Sequence, residues 1–351
     1  MKTSTRIVIV TGPTGVGKST LRVQFEEELK ALSAQDCANN PEVIAYGSCS
    51  VKAPGPTAFS WKDTYLQMLR SLQHPFAESD FTSRSIRKID DGHPPLKTIS
   101  PEAAHRLSND RLFRILQRTI DHRRPKALIF DEAHHLLRVS SSQSLVNQLE
   151  HLKYIADETK TLHVLFGTYE LIRLMDLSSA LIRRREVVHF PRYIYAANDP
   201  LNSLEPFAKV VAIFAADLDP MCKVGLLTEV AYLYQGCVGC IGVLRDWLFR
   251  AYTAAKATDG GLITKEILEQ TILAASDRLE LIEVIEGGEH YFQQRSKCEK
   301  RYLVKLGFLA PDPNDSETTA DPKKAATRPF TRKPHNDPVG FEQLNLKNHA
   351  A

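Results

Sequence analysis

Hydrophobic positions along this chain switch between two spacings, short continuous runs and recurrences three or four residues apart. Arg6–Thr11, "RIVIVT", is a β-branched run that ends at Gly12, the pattern of a strand buried on both faces. Leu21, Phe25, Leu29 and Leu32 then recur at helical spacing and predict a helix from about Ser19 to Leu32. "EVIAYGS" (42–48) predicts a second strand, the Pro/Gly-rich "VKAPGPTAF" a loop, and Trp61–Leu72 a second helix. Residues 74–105 are polar, basic in places and broken by prolines, so a long loop or insertion is expected there. A helix from about Asn109 to His122 leads into a strongly apolar strand, "KALIFDE" (126–132). An amphipathic helix over 143–159, a fourth strand "LHVLFGT" (162–168) and a fifth, "EVVHF" (186–190), complete the pattern. Strands alternating with helices predict an α/β fold with a parallel sheet covered on both faces.

From about Asp199 the periodicity becomes helical throughout, with no strand pattern through Leu309. After Pro311 the chain is rich in proline and mixed charge and cannot bury enough apolar surface to order itself. Three parts are therefore expected: an α/β core over 1–198, a helical lid over 199–310 and a disordered tail over 311–351. The tail ends in one apolar cluster, "VGFEQLNL", where Phe341, Leu344 and Leu346 suit a partner-docking peptide. No internal repeat is visible.

Composition changes this picture little. The 351 residues are 43% hydrophobic and 25% charged, ordinary for a globular protein, and a net charge of +3 permits contact with nucleic acid without demanding it. Of six cysteines only Cys237 and Cys240 have a ligand-like spacing, and no second pair completes a zinc site, so packing is the expectation. The N-terminus runs straight into a strand without a leader pattern, and no apolar run approaches the ~18–20 residues that span a membrane. A cytoplasmic protein with no membrane partner is expected.

The chemistry concentrates at strand ends. Gly12-Pro13-Thr14-Gly15-Val16-Gly17-Lys18-Ser19 fits G-x-x-x-x-G-K-[ST] at every fixed position, with a strand before it and a helix after it. The glycines let backbone N–H groups turn inward around phosphate oxygens, and the helix N-terminus adds positive potential. Lys18 supplies a charge for the β- and γ-phosphates of ATP, Ser19 a hydroxyl for Mg²⁺, and Thr20 continues the phosphate-binding turn. "IFDEAHHLL" (129–137) spells the DEAH box of a helicase class, but beside a phosphate loop its carboxylates suit a different role. Asp131 would complete the magnesium site and Glu132 would polarise the water that attacks the γ-phosphate, while Ala133 and His134 follow at a helix start.

Thr168, at the end of the fourth strand and one strand over from Asp131, could orient that water; capping is the competing reading. In "ALIRRREVVHF", three consecutive arginines precede the fifth strand. Arg183 and Arg185 are candidates for an arginine finger that serves the nucleotide of a neighbouring copy, with a solvated basic patch or a DNA-backbone contact as the alternative. "GCVGCIGVLRDWLFRAY" (236–252) opens a helix with glycines at spacing three, and Arg245 is the candidate cation facing the nucleotide.

This order of parts resembles the AAA+ ATPases, with Gly12–Ser19 as Walker A and Asp131-Glu132 as Walker B. More narrowly, "VLFGTYEL", "LIRRREVVHFPRY" and "GCIGVLRDWLFRA" resemble the TniB/TnsC family of DNA-transposition regulators, over about residues 6–275. That resemblance implies ATP-dependent oligomerisation on double-stranded DNA, recruitment of a transposase, communication with a target-selection protein, and hydrolysis that drives disassembly, in a bacterial, nucleoid-associated setting. By the same analogy DNA contacts would fall in loops lining a ring interior, where Lys52, Arg84, Arg87 and Lys88 are basic. Family members commonly carry an N-terminal segment near the adenine, whereas five residues precede the first strand here. An origin initiator or helicase loader is the alternative, although it would usually add a winged-helix domain. A DEAH helicase would need a second strand-containing domain, a small-molecule kinase rarely needs so large a lid, and a signalling ATPase would not need the basic loops.

Overall fold

The computed structural model describes residues 7–53, 59–73, 106–138, 142–172, 185–218, 221–258 and 261–308. The chain divides into two units, Met1–Ser296 and Lys297–Ala351. The tail over 311–351, including Phe341, Leu344 and Leu346, lies outside the described residues, as do Arg183, Arg84, Arg87, Lys88 and all of the expected insertion over 74–105.

Five strands, β1 (Ile7–Thr11), β2 (Tyr46–Ser50), β3 (Ala127–Asp131), β4 (Leu162–Gly167) and β5 (Arg185–His189), form one parallel sheet in the order β2-β3-β4-β1-β5. Alternate residues of each strand feed two separate cores, as the pleat requires. On one face Ile7, Ile9, Leu128, Phe130 and Leu165 pack with residues of α2 (Trp61–Ser71), α3 (Asn109–Arg123) and α4 (Ser142–Thr159). On the other, Val10, Ala127, Ile129, Val164 and Phe166 pack with Leu21, Phe25 and Leu29 of α1 (Lys18–Asn39). This is the parallel sheet sandwiched by helices that the alternation of strands and helices predicts.

Two elements differ from the sequence expectation. Helix α1 runs on to Asn39, because the polar stretch after Leu32 contains no glycine or proline to stop it. Strand β2 begins at Tyr46 rather than at 42. The preceding residues are engaged elsewhere: Ile44 N–H donates to the Arg123 carbonyl, and the Glu42 carboxylate pairs with Arg123 and His122 at the end of α3.

Beyond β5, α5 (Pro200–Leu218), α6 (Val230–Cys237), α7 (Ile241–Lys256) and α8 (Lys265–Thr271) enclose a core of their own around Phe207, Trp247 and Leu268. One parallel bridge, Cys222 with Ile263, interrupts this otherwise helical region. Helix α9 (Ala275–Lys305) follows, and within the first unit its Ile285 joins a small apolar cluster with Tyr169, Val238 and Cys240. Cys237 and Cys240 are buried free thiols, their pKa pushed up by burial to about 12 and about 11, which is the behaviour of packing residues.

His163 carries a pH signature. It is fully buried in β4, stacked against Phe130, with Nδ1 hydrogen-bonded to the Thr161 carbonyl, and burial lowers its pKa to about 4. The unfolded chain therefore takes up a proton as pH falls through about 6.5 while the folded chain does not until about 4. Stability contributed by the neutral ring is present above 6.5, drains between 6.5 and 4, and amounts to about 3 kcal/mol in full. Urea unfolding of His163→Phe at several pH values should show a shallower acid slope than the native chain over that window; identical slopes would contradict the burial argument.

Candidate nucleotide site

The loop between β1 and α1 is shaped by what lies against it. Phe190, just past β5, donates its N–H to the Thr11 carbonyl at 2.8 Å, which brings its own carbonyl over Gly12. A Cβ on Gly12 would sit 2.0 Å from that oxygen, so only glycine fits. Gly15 and Gly17 adopt positive φ of 75° and 107°, and Gly17 caps α1 in the left-handed region. The Gly15 carbonyl accepts a 2.5 Å hydrogen bond from the N–H of Gly242 in the first turn of α7. A Cβ on Gly242 would meet that carbonyl oxygen at 2.8 Å. The "GCVGC" stretch is thus a turn between two helices, not the opening of one, and it seats the lid directly on the phosphate loop.

Lys18 reaches back across the loop and donates to the carbonyls of Gly12 at 3.0 Å and Pro13 at 2.6 Å. Burial holds its pKa below the ordinary ammonium range, and the nearby carboxylates of Glu132 and Asp131 oppose that shift. Ser19 and Thr20 are exposed in the first turn of α1, and Thr14 is exposed at the loop tip, while Pro13 and Val16 are buried. Asp131 ends β3; its Oδ1 accepts from the Glu132 N–H at 2.9 Å and its Oδ2 lies 3.1 Å from Nε of Arg22. Glu132 itself has φ of 52° and a half-exposed carboxylate.

Thr168 follows β4, between the ends of β1 and β3. Its carbonyl accepts from the Thr11 hydroxyl at 2.8 Å, tying the two strand ends together. Although it precedes the short 3-10 helix Tyr169–Leu171, its side chain makes no capping bond, and its Oγ1 is buried without a hydrogen-bond partner. The capping alternative is not what is seen. An orphaned hydroxyl at the end of the strand between the phosphate loop and Asp131 fits a magnesium–nucleotide, as do the hydroxyl of Ser19 and the carboxylate of Asp131.

Residues 1–175 match the family model for the AAA domain. The family implies nucleotide binding. Among solved structures, the chain is 15% identical to a Walker-type ATPase of Pyrococcus abyssi, with 86% of this chain and 74% of that one covered at a TM-score of 0.42. An Orc1 protein of Aeropyrum pernix in complex with DNA is 15% identical, over 77% and 59% of the two chains, at a TM-score of 0.44. Cdc6p of Pyrobaculum aerophilum is 14% identical, over 76% and 59%, also at 0.44. The chain thus spans 59% of the length of each of these last two. No curated protein sequence matches.

The remaining candidates stand apart from the phosphate loop. Arg185 is the first residue of β5 and pairs in register with Ile7, at the end of the sheet opposite the loop. Lys52 is exposed just past β2, on the loop's side of the sheet. Arg245 lies in the first turn of α7 but is 69% exposed and pairs with Asp246 at 2.8 Å. Sequence reasoning missed two cations that the fold engages more deeply. Arg22, one turn beyond Lys18 on α1, bridges Asp131 and Glu26. Arg192 pairs through Nε and Nη2 with both Glu289 oxygens, at 3.1 and 3.3 Å, and reaches the Val238 carbonyl. Helical spacing from Lys18 could have flagged Arg22; nothing local marks Glu289 as the partner of Arg192.

Gly12→Ala should weaken binding of a fluorescent ATP analogue by at least about tenfold, since a side chain against a backbone carbonyl must move the loop. The melting temperature should fall by only a few degrees. Unchanged affinity would show that the loop is not the binding element.

Proposed function

We propose that this protein is an ATP-dependent, DNA-binding regulator of DNA transposition of the TniB/TnsC type. It oligomerises on double-stranded target DNA, links a target-selection factor to a transposase, and disassembles when ATP is hydrolysed. The observation that carries the reading is the convergence of the three segments that resemble that family. Thr168 bonds Thr11, Phe190 bonds Thr11, Tyr169 bonds His189 at 2.9 Å, Tyr193 bonds Gly239 at 3.1 Å, and Gly242 bonds Gly15. Segments far apart in sequence thus enclose one phosphate loop, and nucleotide occupancy bears on the sheet and the lid together.

Within that frame each side chain has a defined task. The N–H groups of the loop and the Lys18 ammonium bind the phosphates, and the loop glycines let the backbone approach them. Ser19 and Asp131 would hold Mg²⁺, which supplies charge neutralisation on the phosphates when bound. Glu132 accepts a proton from water aimed at the γ-phosphate, and the unpartnered Thr168 hydroxyl orients that water. Arg183, or Arg185, belongs to a neighbouring copy's site, which makes turnover depend on assembly. Lys52, with Arg84, Arg87 and Lys88, would contact the DNA backbone.

Glu132→Gln should bind ATP normally, lose about 10²–10⁴-fold in turnover, and accumulate as DNA-bound oligomers seen by electron microscopy. Lys18→Ala should form none. Glu132→Gln that stays monomeric and free of DNA with ATP present would overturn the reading. In the same assay Arg183→Ala should retain ATP binding and lose hydrolysis by about 10³-fold or more.

A further inference from the structure

The two histidines that follow the acidic pair take no part in the scheme above. His134 and His135 lie in the 3-10 helix Ala133–Leu137, entered through the positive φ of Glu132. That bend folds the Glu132 carboxylate back onto the turn, with Oε2 3.2 Å from Nδ1 of His134. The two imidazole rings are 4.2 Å apart. One nitrogen from each ring and one Glu132 oxygen all lie within 4.8 Å of one another, and among the described residues no other three His, Cys, Asp or Glu side chains converge in this way.

His134 is 6% exposed, and its Nδ1 is buried without a hydrogen bond, as is Nδ1 of His135. A buried nitrogen left without a hydrogen bond costs roughly 1–3 kcal/mol, which an ion coordinated there would relieve, and the Glu132 carboxylate already stands against the His134 ring. Asp131 is not part of the group, because its two oxygens are engaged by Arg22 and by the Glu132 N–H.

We propose that Glu132, His134 and His135 form a site for a divalent transition-metal ion, best matched by Zn²⁺, whose occupancy halts ATP turnover by taking up the Glu132 carboxylate. Two imidazoles and one carboxylate with an open fourth position suit zinc, whereas magnesium prefers oxygen ligands throughout. Zinc bonds of about 2.0–2.1 Å require the ligand atoms to draw together by roughly an ångström. The half-exposed Glu132 and the partly exposed His135 can rotate to do so, while buried His134 anchors the site. The inhibitory half rests on the reading of Glu132 as the base; the binding half does not.

Zn²⁺ is titrated into the nucleotide-free, full-length chain against a chromophoric zinc chelator. The native chain and Asp131→Asn should share one micromolar site, weakened roughly tenfold or more in His135→Ala and in the bulkier His135→Gln. Equal binding by native and both His135 variants would overturn the site, whatever the ATPase result. With saturating Mg-ATP, the same zinc concentrations should slow turnover by the native chain and leave the His135→Gln rate unchanged by zinc. Zinc binding with native turnover unaffected would overturn the inhibition. A native chain with no ATP turnover even without zinc would overturn the inhibition and the proposed function together, leaving the binding result to stand.

Discussion

A single backbone hydrogen bond, from the N–H of Gly242 to the carbonyl of Gly15, governs much of this molecule. It joins the tip of the phosphate loop to the first turn of a lid helix, and both partners must be glycine or nearly so for the chains to approach. The helical region has its own core around Trp247 and Phe207 and is a packed body rather than a loose flap. The loop tip is thus bonded to a preassembled unit rather than to a flexible segment. The Arg192–Glu289 pair, both groups largely buried, fixes a second point between the segment after β5 and α9.

Charge at the site is balanced before any nucleotide arrives. Lys18 satisfies its donors on loop carbonyls, and Arg22 stands against Asp131 as a cation would. Arg22 also pairs with Glu26, whose carboxylate accepts from the Ser48 hydroxyl of β2 at 2.9 Å. An ion arriving at Asp131 would compete with a guanidinium already tied, through Glu26, to the next strand.

Much of this was legible in the sequence, for identifiable reasons. Lys18, Asp131, Glu132 and Thr168, which the fold gathers at one end of the sheet, sit in local patterns of glycine spacing and apolar strand ends. Strand β2 was displaced in the reading because its inward positions are Gly47 and Cys49 rather than large apolar residues. Gly47 is small since a side chain there would meet Met68 at 2.8 Å. Contacts set by long-range packing, such as Phe190 over Gly12 or Arg22 on Asp131, leave no local signature. Arg245 follows a glycine-rich stretch, which made it the expected cation, yet it is exposed and pairs with Asp246.

The sheet order has a consequence of its own. Strand β4 lies between β1 and β3, so the phosphate loop and the acidic pair are separated by two interstrand spacings, about 9.5 Å. On the proposed function that gap would act as a gauge block for a phosphate chain with water beyond it, held to tolerance by backbone hydrogen bonds rather than by side chains. The end of the gauge must also be thin. A Cβ on Gly167 would meet Leu171 at 2.8 Å and the His134 nitrogen at 3.2 Å, so any thicker residue would push the histidine turn away from the strand and widen the gauge itself.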